Sequence, residues 1–438
     1  MNTATIGIDF GTTNSSIALV NSSGEVELAH FSELGVPTDS YRSLLYLEQV
    51  KERGINRLKS WSGPAGVEHY LSAEGNGRLM QSLKSFLSSR SLQTTEIFGR
   101  RHTFLSLIAR ILQDLRQKAE DQFGVRINAA VVGRPVQFVA AENEDDNQYA
   151  ENRLKEALHA AGYESVDFEL EPVAAARYYE STLDHDQLIL IGDFGGGTSD
   201  FSLLRVGPSI RRRGRTAADL LGNAGIGLAG DAFDAKIVRH LVAPALGAGS
   251  EMRSMNKILP VPGWVYTKLE RWHYLSFLKG RDVMEMLRGV QGHAMEPEKI
   301  KALIHLIKED LGFRLHRAVQ AVKCDLSYRS TATFQFSDGS VEIEAALDRN
   351  VFEGWIAEEI EKIQTCVDSL LSRSGARYEE VDAVFLTGGT SFVPAVRRIF
   401  ETRFGGNKIR AGNEFTSVAH GLALRNSLSA PSSTAPGR

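Results

Sequence analysis

Two stretches of the chain set strand-forming residues on either side of a turn with almost no side chains. Leu188 to Val206 reads LILIGDFGGGTSDFSLLRV, which predicts a strand, a phosphate-sized turn and a returning strand. Ile6 to Val20 reads IGIDFGTTNSSIALV, again a strand, a small-residue turn and a strand. Gly195, Gly196 and Gly197 lack Cβ atoms, so their N–H groups can close on an anion that side chains would hold away. Asp193 and Asp200 bracket that turn. Carboxylates at both ends of an anion-binding turn suggest a hydrated divalent cation shared between acid and phosphate. Alone, the glycine turn fits an ordinary hairpin equally well. Its near repetition about 184 residues away suggests two similar lobes facing one nucleotide.

Helical spacing of Phe104, Ile108, Ile111, Leu112, Leu115, Ala119 and Phe123 predicts a core-facing helix stopped by Gly124. Asn128 to Gly133 reads as a buried strand, Pro135 breaks the chain, and Tyr149 to Ala161 reads as a second helix closed by Gly162. Val166 to Leu170 is strand-like. Glu171-Pro172 then opens an Ala-rich helix from Val173 to Tyr179, where a Glu on its own reads as a solvated N-terminal acid. Gly222 to Gly230 reads as a glycine-rich junction onto a helix from Asp231 to Leu241, either a place for phosphate or a simple loop. Ala302 to Leu326 and Asp348 to Leu371 predict long helices, and Thr333 to Ala345 two strands about a Ser-Asp-Gly turn. Asp382 to Thr387 predicts a strand running into Gly388-Gly389-Thr390, with a helix from Pro394.

Phe31 to Arg101 lacks a sustained period and is expected to form a small peripheral subdomain, in which Lys84 reads as a surface charge. Pro244 to Val341 predicts a largely helical segment. Its Trp264, Tyr266, Trp272, Tyr274 and Phe277 read as core rather than as a binding surface.

Composition excludes several classes. A formal charge of −4 gives no reason to expect nucleic acid. The dense basic cluster Arg211, Arg212, Arg213 and Arg215 reads as a solvated loop, with a contact for an acidic partner as the alternative. Cys324 and Cys366 lack metal-ligand spacing and form no disulfide framework, which fits a reducing cytosol. No apolar run approaches the ~20 residues that span a bilayer, and no export signal precedes the first strand, so a cytoplasmic protein is expected. Ser427 to Arg438 is rich in Ser, Pro and Ala and is expected to be disordered, the fold ending near Leu428.

Asp-Phe-Gly is also the metal-binding triplet of protein kinases, but the chain has no His-Arg-Asp loop and no Gly-rich loop ahead of a Val-Ala-Ile-Lys strand. Its landmarks instead run Gly7-Ile8-Asp9-Phe10-Gly11-Thr12-Thr13-Asn14-Ser15, Lys84, Glu171 to Ala176, Asp193 to Asp200, the Gly230 junction, Lys323 with Ser327, and Leu386 to Thr390. In that order they resemble the nucleotide-binding domain of heat shock protein 70 chaperones, the DnaK family, within the actin and sugar-kinase superfamily. Val132-Gly133-Arg134-Pro135 and the aromatic-rich insertion look more like the YegD-type divergent branch.

The resemblance implies an α/β actin-like ATPase fold: two RNase H-like lobes with mixed sheets flanked by helices around a nucleotide cleft. Lobe I would comprise 1–184, with a peripheral subdomain at about 35–100, completed by 411–428. Lobe II would comprise 185–410, with a helical subdomain at about 228–347, and 429–438 would be tail. The resemblance also implies cofactors, ATP or ADP with Mg²⁺, and a role for each matching residue. Thr12, Thr13, Gly196, Gly197 and Thr198 would hold the β- and γ-phosphates, and Asp9 and Asp193 the hydrated Mg²⁺. Lys84 would position the γ-phosphate, while Glu171, Asp200 and Thr198 would orient the attacking water. Gly11, Asn14, Gly195, Gly230, Gln320, Lys323, Cys324, Ser327, Gly388, Gly389, Thr390 and Phe392 would complete the nucleotide contacts.

The chain departs from that family in three places. It ends after the nucleotide-binding fold, so a β-sandwich that binds peptide is not expected. Cys324 and Phe392 stand where the chaperones flank adenine with Arg, and Gln320 where they hold ribose with Glu. Ala229 precedes Gly230 in place of a glycine. The expected function is a slow ATPase that works as a nucleotide-gated, chaperone-like or regulatory switch for an unknown protein partner, as a monomer without nucleic acid or membrane. Alternatives are a small-molecule kinase of the same superfamily and an actin-like filament former.

Overall fold

The computed structural model describes residues 3–52, 55–73, 77–255, 257–271, 278–411 and 416–427. The expected tail, the fold end near Leu428, and Trp272, Tyr274 and Phe277 lie outside the described residues.

Two mixed sheets share one topology. The first contains β1 (Thr3–Phe10), β2 (Asn14–Val20), β3 (Val26–Leu28), β4 (Tyr41–Arg42), β5 (Arg126–Arg134) and β6 (Ser165–Leu170), in the order β6-β5-β1-β2-β3 with β4 also on β2. The second contains β7 (Gln187–Phe194), β8 (Ser199–Val206), β9 (Leu220–Ile226), β10 (Ala383–Thr387) and β11 (Ile409–Ala411), in the order β9-β8-β7-β10-β11. In each, an antiparallel meander gives one edge, and two parallel strands extend from the far side of its first strand. The repetition read from the two hairpins therefore extends to whole sheets.

Register makes the two hairpins comparable residue by residue. Asp9 of β1 faces Ser16 of β2, and Asp193 of β7 faces Asp200 of β8. The two first-strand aspartates are equivalent, and Ser16 stands where the second hairpin has its second acid.

The helices that flank these sheets or carry residues discussed below are α1 (Phe104–Phe123), α2 (Glu144–Ala160), α3 (Glu171–Glu180), α4 (Gly230–Ile237), α5 (Gly312–Tyr328), α6 (Ala357–Ser374), α7 (Pro394–Phe404) and α8 (Ser417–Ser427). Because strand side chains alternate between faces, Leu188, Leu190 and Phe194 enter one core while Ile189 and Ile191 enter another. The second core joins the sheets: it combines Ile189, Ile191 and Phe385 with Val131 of β5, Ala174 to Ala176 of α3, and Val418 and Leu422 of α8. Small residues permit that packing. A Cβ on Gly421 would lie 1.7 Å from the Ala174 carbonyl oxygen, and one on Gly7 2.4 Å from the Ala423 nitrogen.

Several sequence expectations change. α2 begins at Glu144 rather than Tyr149, because the Asn143 side chain accepts from the Asp146 N–H at 3.0 Å and caps the acidic first turn. Within the glycine-rich 222–230 stretch, residues up to Ile226 form strand β9, not a loop; Gly222 and Gly225 serve close approach, since a Cβ would meet Ser374 Oγ at 2.5 Å and Asp200 Oδ1 at 2.7 Å. The following helix keeps α geometry to Ile237 and becomes a π-helical turn over Val238–Val242. The helix expected over 302–326 is two, Pro297–Lys308 and α5, parted at Asp310 with φ 55°. That expected from Asp348 is also two, Arg349–Trp355 and α6, parted at Ile356. The segment 244–341 also holds a strand pair, Glu251–Ser254 with Lys257–Pro260. Of its aromatics, Tyr266 is core, but Trp264 is 45% exposed. Arg215 is no solvated loop residue, since its guanidinium, half-buried, donates to buried Glu180 at 2.9 Å.

Candidate functional site

The turns of the two hairpins meet. Gly195 N–H donates to the Thr198 carbonyl at 2.9 Å, closing the glycine turn, and the Gly196 carbonyl accepts from Asp231 N–H at 2.8 Å at the start of α4. A Cβ on Gly196 would lie 2.8 Å from Thr13 Oγ1, and one on Gly197 would lie 3.6 Å from Thr12 Oγ1 and 2.9 Å from Val139 Cγ2. Thr13 Oγ1 is buried with no hydrogen-bond partner. A buried hydroxyl without a partner costs free energy, so its place opposite a glycine turn is what an anion between the turns would repair. Gly11 serves its own turn, because a Cβ there would sit 2.1 Å from the Asn14 carbonyl oxygen.

Lys84 is not a surface charge. It lies in a 3₁₀ turn, Leu83–Phe86, only 7% exposed, and its Nζ donates to Glu171 Oε1 at 2.6 Å. Glu171, the first residue of α3, is likewise buried rather than solvated. Burial alone would lower the Lys84 amine, but the carboxylates of Glu171, Asp9 and Asp200 outweigh it and hold the amine above its ordinary value. It stays a cation.

Asp200 reaches from the second sheet to the first. Its Oδ1 accepts from Val136 N–H at 2.7 Å and Gln137 N–H at 3.3 Å, just past Pro135. Burial, then the Glu171 charge, push its carboxyl up to about 7 against hydrogen bonds from Thr198 and those two amides. Asp9 is raised to about 7 by burial and by Glu171, with Lys84 opposing. Asp193 is raised well above the carboxylate range by burial, Glu171, Asp9 and Asp200. Four carboxylates and one ammonium thus share a low-dielectric space with excess negative charge, and a cation would relieve it. No group of three or more His, Cys, Asp or Glu among the described residues could wrap a metal. A cation leaning on Asp9 and Asp193 alone would keep much of its water shell, as Mg²⁺ does.

A second group lies along α4, α5 and the Gly388 turn. Lys323 Nζ is 2.7 Å from Asp234 Oδ1 and donates to the Gly230 carbonyl at 3.3 Å. A Cβ on Gly230 would meet Thr390 Oγ1 at 2.8 Å and Lys323 Nζ at 3.3 Å, so these three converge. Gly388 has φ 84°, and a Cβ there would lie 2.0 Å from the Phe194 carbonyl oxygen; the Gly388–Gly389 turn is thereby pinned to the end of β7. Ser327 Oγ turns back to the Lys323 carbonyl at 3.3 Å, and Gln320 is half-buried on the same helix. Cys324 is exposed. Phe392 is half-buried rather than core, with its ring 6.4 Å from that of Tyr328, which is 74% exposed.

Sequence reading missed several neighbours. Tyr328 lies one residue past the last residue singled out on α5. Arg42 donates to Asn14 Oδ1 at 3.1 Å and to Glu33 at 3.0 Å, in a stretch whose short strands show no period. Asp234 was legible as an acid three residues into a helix, but its partner is 89 residues further along.

The sequence model of the family described as Hsp70 protein matches residues 86–254 and 285–435. The chain is 26% identical over 434 residues, 99% of its length, to a protein named Chaperone protein DnaK from Thermosipho africanus. It spans 60% of the length of that relative.

Proposed function

Since the chain belongs to the Hsp70 protein family, we propose that it binds Mg-ATP between the two glycine turns, hydrolyses it slowly, and acts as a nucleotide-gated switch on a protein partner. The observation that carries this reading is the buried Lys84–Glu171 pair at 2.6 Å, set among Asp9, Asp193 and Asp200 beside the unpartnered Thr13 hydroxyl. Phosphoryl transfer asks little covalent chemistry of a protein, and positioning with charge neutralisation is what such a set can supply.

Thr12 and Thr13 from one turn, and Gly196, Gly197 and Thr198 from the other, would hold the β- and γ-phosphates. Lys84, kept cationic by three carboxylates, would neutralise charge on the transferring group. Glu171 is already committed to Lys84, and Asp200, bridging Thr198 and two backbone amides, is the better-placed carboxylate to orient the attacking water and receive its proton. Mg²⁺ held through Asp9 and Asp193 would supply further neutralisation of the phosphate oxygens. Closure of the two sheets about nucleotide would alter the exposed surface of the peripheral segments and give a partner something to sense. The partner, a cytoplasmic setting, a monomeric state and the YegD-type placement belong to this proposal; Val132 to Pro135 and the 244–341 segment support the last.

Purified protein is expected to bind Mg-ATP in calorimetry and to release phosphate with no added sugar or acid. Folded protein that shows no heat of binding at millimolar ATP would remove the central claim. A dependence of turnover on a small-molecule acceptor would favour the kinase reading instead, and nucleotide-dependent sedimentation the filament reading.

The base side gives a second expectation. Gln320, Cys324 and Phe392 offer no guanidinium pair to clamp adenine, and the Phe392 and Tyr328 rings offer sequence-neutral stacking on either purine. ATP affinity is expected to be weaker than with an Arg pair, and GTP to compete with ATP within about tenfold, since a stacked cation contributes about 0.5–2 kcal/mol. Competition of GTP against a fluorescent ATP analogue, on wild type and Phe392→Ala, checks it. Strict adenine selectivity with unchanged affinity in the variant would rule stacking out.

A further inference from the structure

We infer that Arg153 is a positioning residue for the proposed hydrolysis, acting through Lys84 by fixing the turn that carries it; this rests on the ATPase reading above. Arg153 lies on α2 and is 4% exposed. Its two Nη1–H groups are shared among the carbonyls of Phe86, Leu87 and Ser89 at 3.1, 2.8 and 2.9 Å, and its Nη2 donates to that of Leu92 at 2.9 Å. Four carbonyls within seven residues thus converge on one guanidinium, beginning two residues after Lys84. Its Cζ lies 5.1 Å from the Phe104 ring centroid and 5.4 Å from that of Tyr149, and Phe104 in turn meets Phe86 edge-on at 5.9 Å. The cation is therefore balanced by carbonyl dipoles and ring faces.

The turn needs such a hold. It is a single 3₁₀ turn, entered through Ser82, a buried non-glycine residue with φ 54° and ψ 30°. Left-handed backbone at a residue with a Cβ is unfavourable and persists only where the surroundings over-determine it. The Phe86 carbonyl, last of the turn, accepts from the Ser89 N–H at 3.1 Å and also from Arg153, whose other contacts at Leu87, Ser89 and Leu92 hold the chain as it leaves the turn. On the other side, Ser88 Oγ donates to the Val139 carbonyl at 2.6 Å, and Val139 is the residue a Cβ on Gly197 would strike. The turn is thus fastened between α2 and the wall of the glycine turn. A lysine in place of Arg153 could reach one or two of those carbonyls but has no planar fork for four.

The test is a double-mutant cycle on the full chain, comparing wild type, Arg153→Lys, Lys84→Ala and the double variant in single-turnover ATP hydrolysis and in calorimetric Mg-ATP affinity. Arg153→Lys is expected to lower the hydrolysis rate about ten- to a hundredfold, the scale of a displacement of about 1 Å at a catalytic group, with the dissociation constant within about threefold. In the Lys84→Ala background the same change is expected to do nothing further, because the group it positions is gone. Arg153→Lys at the wild-type rate, or with the same fractional loss in both backgrounds, overturns the inference while leaving the ATPase reading intact. No hydrolysis by wild type overturns both.

Discussion

Lys84→Ala is expected to lower the rate of ATP hydrolysis by about 10²–10³-fold, the range seen when one preorganised charge stabiliser is removed, while Mg-ATP affinity changes far less. The ammonium is buried, donates to Glu171 at 2.6 Å and is held charged by three carboxylates; as proposed, its charge meets the phosphoryl group where negative charge redistributes during transfer, whereas the two glycine turns hold the ground state. Thr198→Ala is expected to fall in the same direction by a smaller factor, because Thr198 hydrogen-bonds Asp200 and would help place the water rather than bind the base. Single-turnover phosphate release set against calorimetric affinity separates the two effects. Removing Lys84 also strands Glu171 beside three other acids, so unfolding should be followed alongside. If both variants hydrolyse ATP as wild type does, the assigned roles are wrong.

Ligand-free protein is expected to lose stability as pH rises from about 4 to 7, the reverse of ordinary acid denaturation, and Mg-ATP is expected to expel protons on binding. Asp9 and Asp200 each move from 3.8 to about 7, with burial the largest cause. Between those values the folded state keeps a proton that the unfolded chain has lost, so stability falls with pH across the window and the loss is complete above the folded value, by on the order of 4 kcal/mol per group at most. Asp219, lowered to about 2 by Arg213, works in the opposite sense below about 4; within the window His316, lowered to about 3 by burial, also opposes the fall, but Asp9, Asp200 and Asp231, the last raised to about 6 by burial and by Asp234, outnumber it. Asp9→Asn should flatten the fall between pH 5 and 7. Asp9 is raised to about 7, and Asp193 is raised well above the carboxylate range by burial and by the neighbouring acids, so a divalent cation settling on both would displace protons at neutral pH. Calorimetry of Mg-ATP binding in two buffers of different ionisation enthalpy counts them. A pH-independent melting temperature with no proton release would mean that these carboxylates are ionised throughout.

Elements whose determinants are local were legible from the sequence. α1 was read to its last residue because a sustained period ends on Gly124, which adopts φ 67° and caps it. Both hairpins were read correctly because strand and turn chemistry agree over twenty residues or fewer. The breaks at Asp310 and Ile356 were invisible, since the apolar spacing continues through both and a single backbone angle interrupts it. Gly222 and Gly225 misled for a related reason: in isolation a glycine-rich run favours a loop, whereas here α6 and Asp200 press on β9 from positions far along the chain. At the site, Lys84 could be found only by resemblance. Its burial depends on Glu171, 87 residues away, and nothing in its own neighbourhood announces that partner. Arg153 gave no signal at all, because its recipients are backbone carbonyls and carry no side-chain pattern.

The packing of α8 against α3, β1 and β5 has a consequence for how the chain is made. Gly7 of β1 packs against Ala419 and Ala423, so β1 is covered by a helix translated roughly 400 residues after it, about 20–80 s at ordinary elongation rates. Throughout that interval the side of β1 that meets α8 lacks the cover α8 gives it. The nascent first sheet is therefore itself a candidate for chaperone protection. Slowing translation between β1 and α8 should lengthen its exposure, whereas slowing it ahead of β1 should not.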